Sequence, residues 1–259
     1  MTERPRRIWL TGASSGLGEV LARLLLEDGA HVAVSARSVE PLRALAARYP
    51  GRVMVLAGDL CDSNQVNQMA QQLHEQWGAL DTVILNAGTC EYVDVHHFEA
   101  AMVERVMNAN LFSASHCIEA ALPLLRLGQT PHLVGVCSAV TFLPLTRSQA
   151  YGASKIAFRY LLESLRVDLA WEKIDVTVVS PGFIDTPLTR RNDFPMPMIW
   201  SAEKAGQYVH RRLARHPLEI AFPPVFLAVM RLLSYLPAWA QLQLGKRMVR
   251  SSAEHKDVV

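Results

Sequence analysis

The sequence predicts an α/β fold in which helices flank a doubly wound parallel β-sheet. Six short apolar runs recur along the chain, and their hydrophobicity is nearly continuous, which is typical of strands buried on both faces. Segments with helical periodicity separate these runs, and this alternation favours parallel strands joined by right-handed crossovers. In such folds, ligands bind at the carboxyl ends of the strands.

The strands and helices are predicted in a regular order. The strand candidates are RIWLTG, HVAVSA, RVMVLAGDL, DTVILNAG, HLVGVCS and DVTVVSPG. The helix candidates are residues 16–27, 41–48, 64–76, 98–125, 154–172 and 202–215. No repeat, low-complexity tract or Gly/Ser linker marks a boundary, so we predict one domain over residues 1–259. Within it, residues 187–259 are predicted to form a substrate loop and a helical C-terminal region.

Composition and charge exclude several classes of function. The 26 basic residues nearly balance the 24 acidic ones, so no nucleic-acid footprint is expected. The four cysteines form no CxxC pair and no HExxH motif is present, which indicates a reduced, metal-free protein. No secretory leader is apparent, and the most apolar stretch, residues 220–244, is interrupted by prolines and an arginine. We therefore expect a cytoplasmic protein that acts on small molecules.

The C-terminal tail over residues 221–250 allows several interpretations. It is apolar, with Arg231, Lys246, Arg247 and Arg250 interspersed. Helices that lie on membrane surfaces have this composition, so a peripheral membrane contact is one hypothesis. Core packing, an oligomer contact and a cover over a pocket are the alternatives, and the sequence leaves them open.

A glycine-rich turn, TGASSGLG, follows the first strand and precedes the first helix. Glycines permit a tight turn and a close approach of the backbone to a pyrophosphate, whose charge is favoured at a helix N-terminus. We expect dinucleotide phosphates here, although a turn without a ligand is the alternative. The residues of this prediction are Gly12, Ser14, Ser15, Gly16, Leu17 and Gly18.

The ends of the second, third and fourth strands bear on the choice of cofactor. Arg37 stands where an NAD site usually has an acid, and its guanidinium can pair with a 2′-phosphate, which favours NADP over NAD. A solvated arginine is the alternative. Asp59, with Leu60, either accepts a hydrogen bond from adenine or caps the next helix. The turn Asn86, Ala87 and Gly88 either lies against the cofactor or is a plain turn.

Tyr151 and Lys155, in the run YGASK, are four residues apart and would share one face of a helix. A free tyrosine has a pKa of about 10, and a neighbouring ammonium lowers that pKa because it favours the phenolate. The pair would then act as a general acid and base. Ser138, just beyond the fifth strand, either binds a substrate oxygen or simply forms a turn.

The chain resembles the short-chain dehydrogenase/reductase family over about residues 6–188. The resemblance rests on motifs that occur in order, namely TGASSGLG, Asp59-Leu60, NAG at 86–88, Asn110 in NANLF, Ser138, YGASK and the Pro181-Gly182 pair in SPG. It implies a Rossmann-like sheet of about seven strands and hydride transfer between NAD(P) and an alcohol or carbonyl. It also implies a homodimer or a homotetramer.

The same resemblance implies a role for each site residue. Tyr151 would be the acid/base, and Lys155 would lower its pKa and bind the nicotinamide ribose. Ser138 would orient the substrate oxygen, and Asn110 would support a water that links Lys155 to solvent. The residues implied to flank the nicotinamide are Pro181, Gly182, Ile184 and Thr186.

Substrate specificity is predicted to depend on loops beyond the strand ends. The candidates are Cys90, Glu91, Tyr92, residues 140–145 and residues 188–200 with Phe194, Met196, Met198, Ile199 and Trp200. Methionines and aromatic rings can line a pocket for a lipophilic substrate, and core packing explains them nearly as well. Two other functions remain possible at this stage: a non-catalytic NADPH sensor that acts through a partner, and an epimerase that uses its cofactor transiently.

Overall fold

A seven-stranded parallel β-sheet forms the centre of the protein in a computed structural model, which describes residues 4–248. The strands are β1 Arg7–Thr11, β2 His31–Ala36, β3 Val53–Ala57, β4 Thr82–Leu85, β5 His132–Val136, β6 Asp175–Pro181, β7 Ile184–Asp185, β8 Trp200–Ser201 and β9 Glu219–Phe222. The sheet order is β3-β2-β1-β4-β5-β6-β9, and β7 pairs with β8 separately. The prediction of a doubly wound parallel sheet with about seven strands is confirmed.

Helices cover both faces of this sheet. They are α1 Gly16–Glu27, α2 Val39–Arg48, α3 Ser63–Trp77, α4 Ala100–Met107, α5 Ser113–Leu125, α6 Gln149–Leu169, α7 Ala202–Leu213, α8 Pro224–Ser234 and α9 Ala238–Met248. Along β1, Ile8 and Leu10 pack into the core beneath α1, α2 and α7, whereas Trp9 packs into the core beneath α3, α5 and α6. Each central strand is therefore buried on both faces, as its continuous hydrophobicity predicts.

The structure does not describe the ends of the chain. Residues 1–3 and 249–259 lie outside the described residues, and so do the side chains of Arg247 and Met248. The end of the predicted 187–259 region, with Arg250 of the predicted membrane contact, therefore lies outside them too.

The predicted apolar tail contains an element that the sequence analysis missed. Its first residues form β9, which pairs with β6 at the edge of the sheet, and α8 and α9 follow. A strand of four residues directly before two prolines is too short to show a periodicity of its own. No helix within residues 4–248 combines the length and the hydrophobicity needed to cross a bilayer.

Two predicted helices differ from the observed ones. Helix α6 begins at Gln149, five residues before the predicted start, so Tyr151 and Lys155 both lie inside it. The predicted helix 98–125 is divided into α4, a turn of π-helix at Asn108–Phe112, and α5. A π-turn inserts one extra residue and rotates the side chains that it carries, a feature common near functional sites. Here it carries Asn110, whose exposed fraction is only 1%.

A buried ion pair joins β1 to β4 at the amino edge of the sheet. The Arg7 side chain donates hydrogen bonds to both carboxylate oxygens of Asp81, at 3.0 and 2.7 Å. The backbone N–H groups of Arg7 and Gln129 also donate to Asp81. Burial alone would raise the pKa of Asp81, but these hydrogen bonds hold it below its ordinary value.

Candidate active site

The turn between β1 and α1 has a shape that only glycines allow. Gly12 has a φ of +68°, and a Cβ on it would lie 2.7 Å from the Cα of Ala87. A Cβ on Gly18 would collide with the carbonyl oxygen of Gly12. Ser15, at the N-cap of α1, makes no capping hydrogen bond with its side chain. The first N–H groups of α1 therefore have no side-chain cap and can bind an anion.

The turn after β4 is fastened to the glycine turn. Thr11 Oγ1 accepts hydrogen bonds from the backbone N–H groups of Asn86 and Ala87, at 3.0 and 3.1 Å. Asn86 Nδ2 donates to the carbonyl oxygens of Thr11 and Gly12. The Asn86 side chain thus ties the ends of β1 and β4 together.

Arg37 and Asp59 follow the ends of β2 and β3. These strand ends are joined by a hydrogen bond from Gly58 N to Ala36 O at 3.1 Å, and both side chains are exposed. Asp59 Oδ1 accepts from the backbone N–H of Cys61, and Leu60 is buried. Asp59 does not cap α3, because Asp62 does so by accepting from Asn64 N. The alternative role of Asp59 as a helix cap was therefore wrong.

Asn110 connects the loop after β4 to helix α6. Its side chain accepts from Thr89 N at 2.7 Å and donates to Thr89 O and to Ser154 Oγ, both at 2.9 Å. Ser154 Oγ in turn donates to the carbonyl oxygen of Tyr151 at 2.8 Å. This chain of hydrogen bonds fixes the first turn of α6 relative to β4.

Lys155 is buried against the end of β5. Its Nζ donates to the carbonyl oxygen of Val136 at 2.9 Å, and only 4% of the residue is exposed. A Cβ on Gly88 would lie 3.3 Å from Nζ, so the turn after β4 passes directly beside the ammonium. Burial lowers the pKa of Lys155, and the neighbouring Cys137 and Cys90 oppose this shift.

The phenol of Tyr151 lies beside Ser138. Burial raises the pKa of Tyr151, and the neighbouring Ser138 hydroxyl only partly offsets that shift. This rise in the pKa of Tyr151 is opposite to the lowering that the sequence predicted. Lys155 Nζ lies 6.0 Å from the centre of the tyrosine ring and is bonded to Val136 O, so desolvation of the phenol outweighs its attraction. The neutral form of the Tyr151 phenol is therefore favoured over the phenolate.

The segment after β6 runs back over the glycine turn. Gly182 N donates to Phe222 O at 2.7 Å, which ties the end of β6 to β9. A Cβ on Gly16 would lie 3.0 Å from Cγ2 of Thr186. Ile184 lies between these contacts in the short strand β7. The structure therefore brings Pro181, Gly182, Ile184 and Thr186 to the same edge as the glycine turn.

The predicted substrate loops separate into two groups. The ring of Phe194 lies 5.6 Å from that of Tyr92 and 6.1 Å from that of Phe183, and the hydroxyl of Tyr92 donates to Asn192. Trp200, in contrast, stacks on Phe222 and packs against the core. Met198 and Ile199 are exposed. The apolar ring cluster therefore includes Phe194 and Tyr92, but not Trp200.

Several contributing residues were missed by the sequence analysis. Thr11 and Ser154 occur inside the quoted motifs, but only the structure shows their hydrogen bonds to the site. Phe183 and Phe226, whose ring centres are 5.8 Å apart, meet from distant segments and carry no local signal. Within residues 4–248, no three His, Cys, Asp or Glu side chains come together as metal ligands.

The arrangement fits a dinucleotide. The glycine turn leaves space that a Cβ would fill, the N-terminus of α1 lacks a side-chain cap, and an arginine stands at the neighbouring strand end. These are the features that a pyrophosphate and a ribose phosphate require. The phenol of Tyr151 and the ammonium of Lys155 lie at the other end of the same edge.

Comparisons with known proteins agree with this geometry. The family model for short chain dehydrogenase matches residues 6–194. A Myxococcus xanthus protein described as an uncharacterized oxidoreductase is 32% identical over 235 residues, which cover 90% of this chain and 93% of the relative. A short-chain dehydrogenase structure from Streptomyces avermitilis is similar with a TM-score of 0.81 and 22% identity, covering 94% and 97% of the two chains. A Pseudomonas aeruginosa RhlG/NADP active-site complex has a TM-score of 0.77 and 28% identity, covering 86% and 96%.

Proposed function

The chain belongs to the short-chain dehydrogenase family and is an oxidoreductase, and from its site we propose that it is NADP(H)-dependent and interconverts a carbonyl and a secondary alcohol. The observation that carries the proposal is that Tyr151, Ser138 and Lys155 lie together at the same edge of the sheet as the glycine turn. A turn that only bound a dinucleotide would not need a half-buried phenol and a buried ammonium further along the same edge of the sheet.

The chemistry follows from the charge that develops on the substrate oxygen. Ser138 and Tyr151 donate hydrogen bonds to this oxygen, and these bonds strengthen as negative charge builds in the transition state. Tyr151 then gives its proton, and the ammonium of Lys155 stabilises the phenolate that remains. The bound nicotinamide supplies the hydride. Asn110 is a positioning residue, because it reaches Tyr151 only through Ser154.

The cofactor would occupy the full length of the carboxyl edge. The turn residues Gly12, Ser14, Ser15, Gly16, Leu17 and Gly18 would hold the pyrophosphate. Asp59 and Leu60 would contact adenine, and the turn 86–88 would lie along the cofactor. Tyr151 and Lys155 would bind the ribose, and the nicotinamide would contact Pro181, Gly182, Ile184 and Thr186. NADP is preferred because Arg37 stands at the end of β2, and the similar RhlG structure is an NADP active-site complex.

We expect Arg37→Ala to weaken NADPH binding by roughly 10- to 100-fold and to leave NADH binding almost unchanged. A charge-assisted hydrogen bond to the 2′-phosphate accounts for an effect of this size, and NADH has no such phosphate. Dissociation constants for both dinucleotides are measured by fluorescence titration. Arg48→Ala removes the same charge from the far end of α2 and is the control. Equal losses for NADPH and NADH would rule out the 2′-phosphate role.

The proposed substrate is lipophilic. The rings of Tyr92, Phe183 and Phe194 pack against one another and would provide an apolar wall for such a substrate. This wall combines residues from both parts of the chain, 1–186 and 187–259, and β9 belongs to the same sheet as β1. We therefore also propose that residues 1–259 form one domain. The proposal is tested by following NADPH oxidation with steroids, fatty aldehydes, quinones and 3-oxoacyl thioesters. Turnover only of small polar carbonyls would contradict it.

We further propose a homo-oligomer that uses the outer face of α6. Ile156, Tyr160 and Val167 are exposed at helical spacing on α6, and the exposed Trp171 follows in the turn after this helix. These residues form one apolar stripe, flanked by charges of both signs. We expect Tyr160→Glu to convert the native dimer or tetramer into a smaller species on size-exclusion chromatography with light scattering. Tyr160 is 75% exposed in the single chain, and the interface would bury the charge of the new glutamate. A native protein that is already monomeric would refute this.

A further inference from the structure

We propose that the outer surface of α8, α9 and the turn between them binds an anionic lipid bilayer. Six exposed apolar side chains form this surface, here called the hairpin surface: Val225, Val229, Leu232, Tyr235, Trp239 and Leu242. The hairpin is anchored from the other side, because Leu227 and Met230 of α8 are buried. Gln241 Nε2 donates to the carbonyl oxygens of Ser234 and Leu236, which holds α9 to the end of α8.

The exposed side chains follow helical periodicity. On α8, Val225, Val229 and Leu232 are spaced i, i+4, i+7 and share one face. On α9, Trp239 and Leu242 are spaced i, i+3, and the exposed Lys246 continues the same face at i+7. An apolar stripe that ends in a cation is typical of a helix lying in the plane of a membrane interface. No described helix spans a bilayer, so the contact is with one leaflet only.

The charge around the hairpin surface favours lipid over a second copy of the chain. The sequence from 220 to 253 contains no Asp or Glu and four basic residues. Arg231 is already paired with Glu219, whereas Lys246 has no acidic neighbour within this stretch. Two hairpin surfaces in a dimer would bring cations together without acids to match them, but anionic headgroups provide that charge. The apolar stripe on α6 differs from the hairpin surface, because it has acidic residues that can match cations across an interface between two copies. These acids are Glu163, Asp168 and Glu172.

The aromatic residues of the hairpin fit the same partner. Tyr235 stands in the turn and Trp239 in the first turn of α9, and both are more than two-thirds exposed. Tyrosine and tryptophan are enriched at the headgroup level of membranes because their rings are amphipathic. The tip of the hairpin thus carries the side chains that anchor a protein at this depth.

Helix α8 also leads to the candidate active site. On its inner side, the ring of Phe226 lies 5.8 Å from that of Phe183 and packs against Gly182. A bilayer bound at the hairpin surface would therefore lie close to the apolar cluster of Phe183, Phe194 and Tyr92. A lipophilic substrate could enter directly from the leaflet, an extension that rests on the proposed function.

The test is sedimentation of the full-length protein with vesicles. Vesicles of phosphatidylcholine with phosphatidylglycerol are compared with phosphatidylcholine alone. We expect the protein to bind the anionic vesicles and to bind the neutral ones more weakly. Added salt should weaken binding to the anionic vesicles. Leu232→Glu and Trp239→Glu should each lower the partition coefficient by about tenfold or more, because each removes a large apolar contact. Leu127→Glu is the matched control, since Leu127 is 63% exposed and Leu232 is 70% exposed.

Two results would overturn the proposal. One is a native protein that stays in solution with both kinds of vesicle. The other is an equal effect of Leu232→Glu and Leu127→Glu. If native protein does not bind vesicles and Leu232→Glu dissociates an oligomer, the surface contacts a second copy instead. Vesicle binding is measured without cofactor or substrate, and Tyr151→Phe should bind vesicles as the native chain does. A failure here is therefore distinct from a failure of the proposed enzyme activity.

Discussion

Replacing Tyr151 with phenylalanine is expected to lower kcat/KM for carbonyl reduction by about a thousandfold. The variant keeps the ring and its packing but removes the proton that the developing alkoxide needs. It also removes one of the two hydrogen bonds that the site offers to this oxygen. Steady-state kinetics with the best carbonyl from the substrate panel measure the loss. NADPH binding should change far less than the rate, because most of the proposed cofactor contacts are made by other residues.

Tyr160→Phe is the matched control for this substitution. Tyr160 is on the same helix but is 75% exposed and stands nine residues from Tyr151, on the opposite side of α6. It should retain native activity. A Tyr151→Phe enzyme that turns over as fast as the native chain would show that another group is the acid.

The pH profile gives an independent check on the same residue. Burial raises the pKa of Tyr151 above its usual value of about 10. The phenol is therefore protonated throughout the neutral range, and carbonyl reduction should lose no rate from Tyr151 deprotonation below about pH 10. Alcohol oxidation needs the phenolate in the same position, so its rate should rise with pH over this range.

Asp81→Asn is expected to lower the free energy of unfolding by about 3–5 kcal/mol. The substitution leaves the Arg7 guanidinium buried without its counter-ion, and an unpaired buried charge is strongly destabilising. The pKa of Asp81 is lowered in the folded state, so its contribution is present above the unfolded value of about 3.9 and is lost as the pH falls through the folded value. Urea unfolding followed by circular dichroism measures the difference.

Glu172→Gln makes the same chemical change in an exposed ion pair. Glu172 accepts from Arg126 on the surface, and such pairs contribute at most about 1 kcal/mol. If Asp81→Asn were no more destabilising than Glu172→Gln, the buried pair would not hold β1 to β4 as described. Because Asp81 lies at the amino edge, the remaining folded Asp81→Asn protein should bind NADPH normally.

The sequence predicted those features of the fold that are encoded within a few neighbouring residues. Strands β1 to β6 and the glycine turn were predictable, because a continuous apolar run and a GxxxGxG spacing lie within a few residues. Strand β9 was missed because four residues beside two prolines show no period. The π-turn at Asn110 was missed because an inserted residue leaves the hydrophobic pattern nearly unchanged.

The electrostatics of the site needed the structure for a different reason. Spacing showed that Tyr151 and Lys155 share a helix face, but not that the Lys155 ammonium donates its hydrogen bond to Val136 O. Burial then decides that the pKa of Tyr151 is raised, and burial depends on residues far apart in sequence. The position of Trp200 also depends on a residue distant in sequence. Its ring stacks on Phe222 of β9, the strand that was not predicted.

Transfer of deuterium from the cofactor to the product tests the central claim most directly. Native protein is incubated with a reducible carbonyl and NADPH that carries deuterium at the transferred position, and the alcohol is analysed by mass spectrometry. We expect one deuterium on the carbinol carbon of each product molecule and an equal amount of NADP formed. A product without deuterium, or NADPH recovered unchanged with every carbonyl tested, would contradict the oxidoreductase mechanism and favour transient cofactor use or sensing.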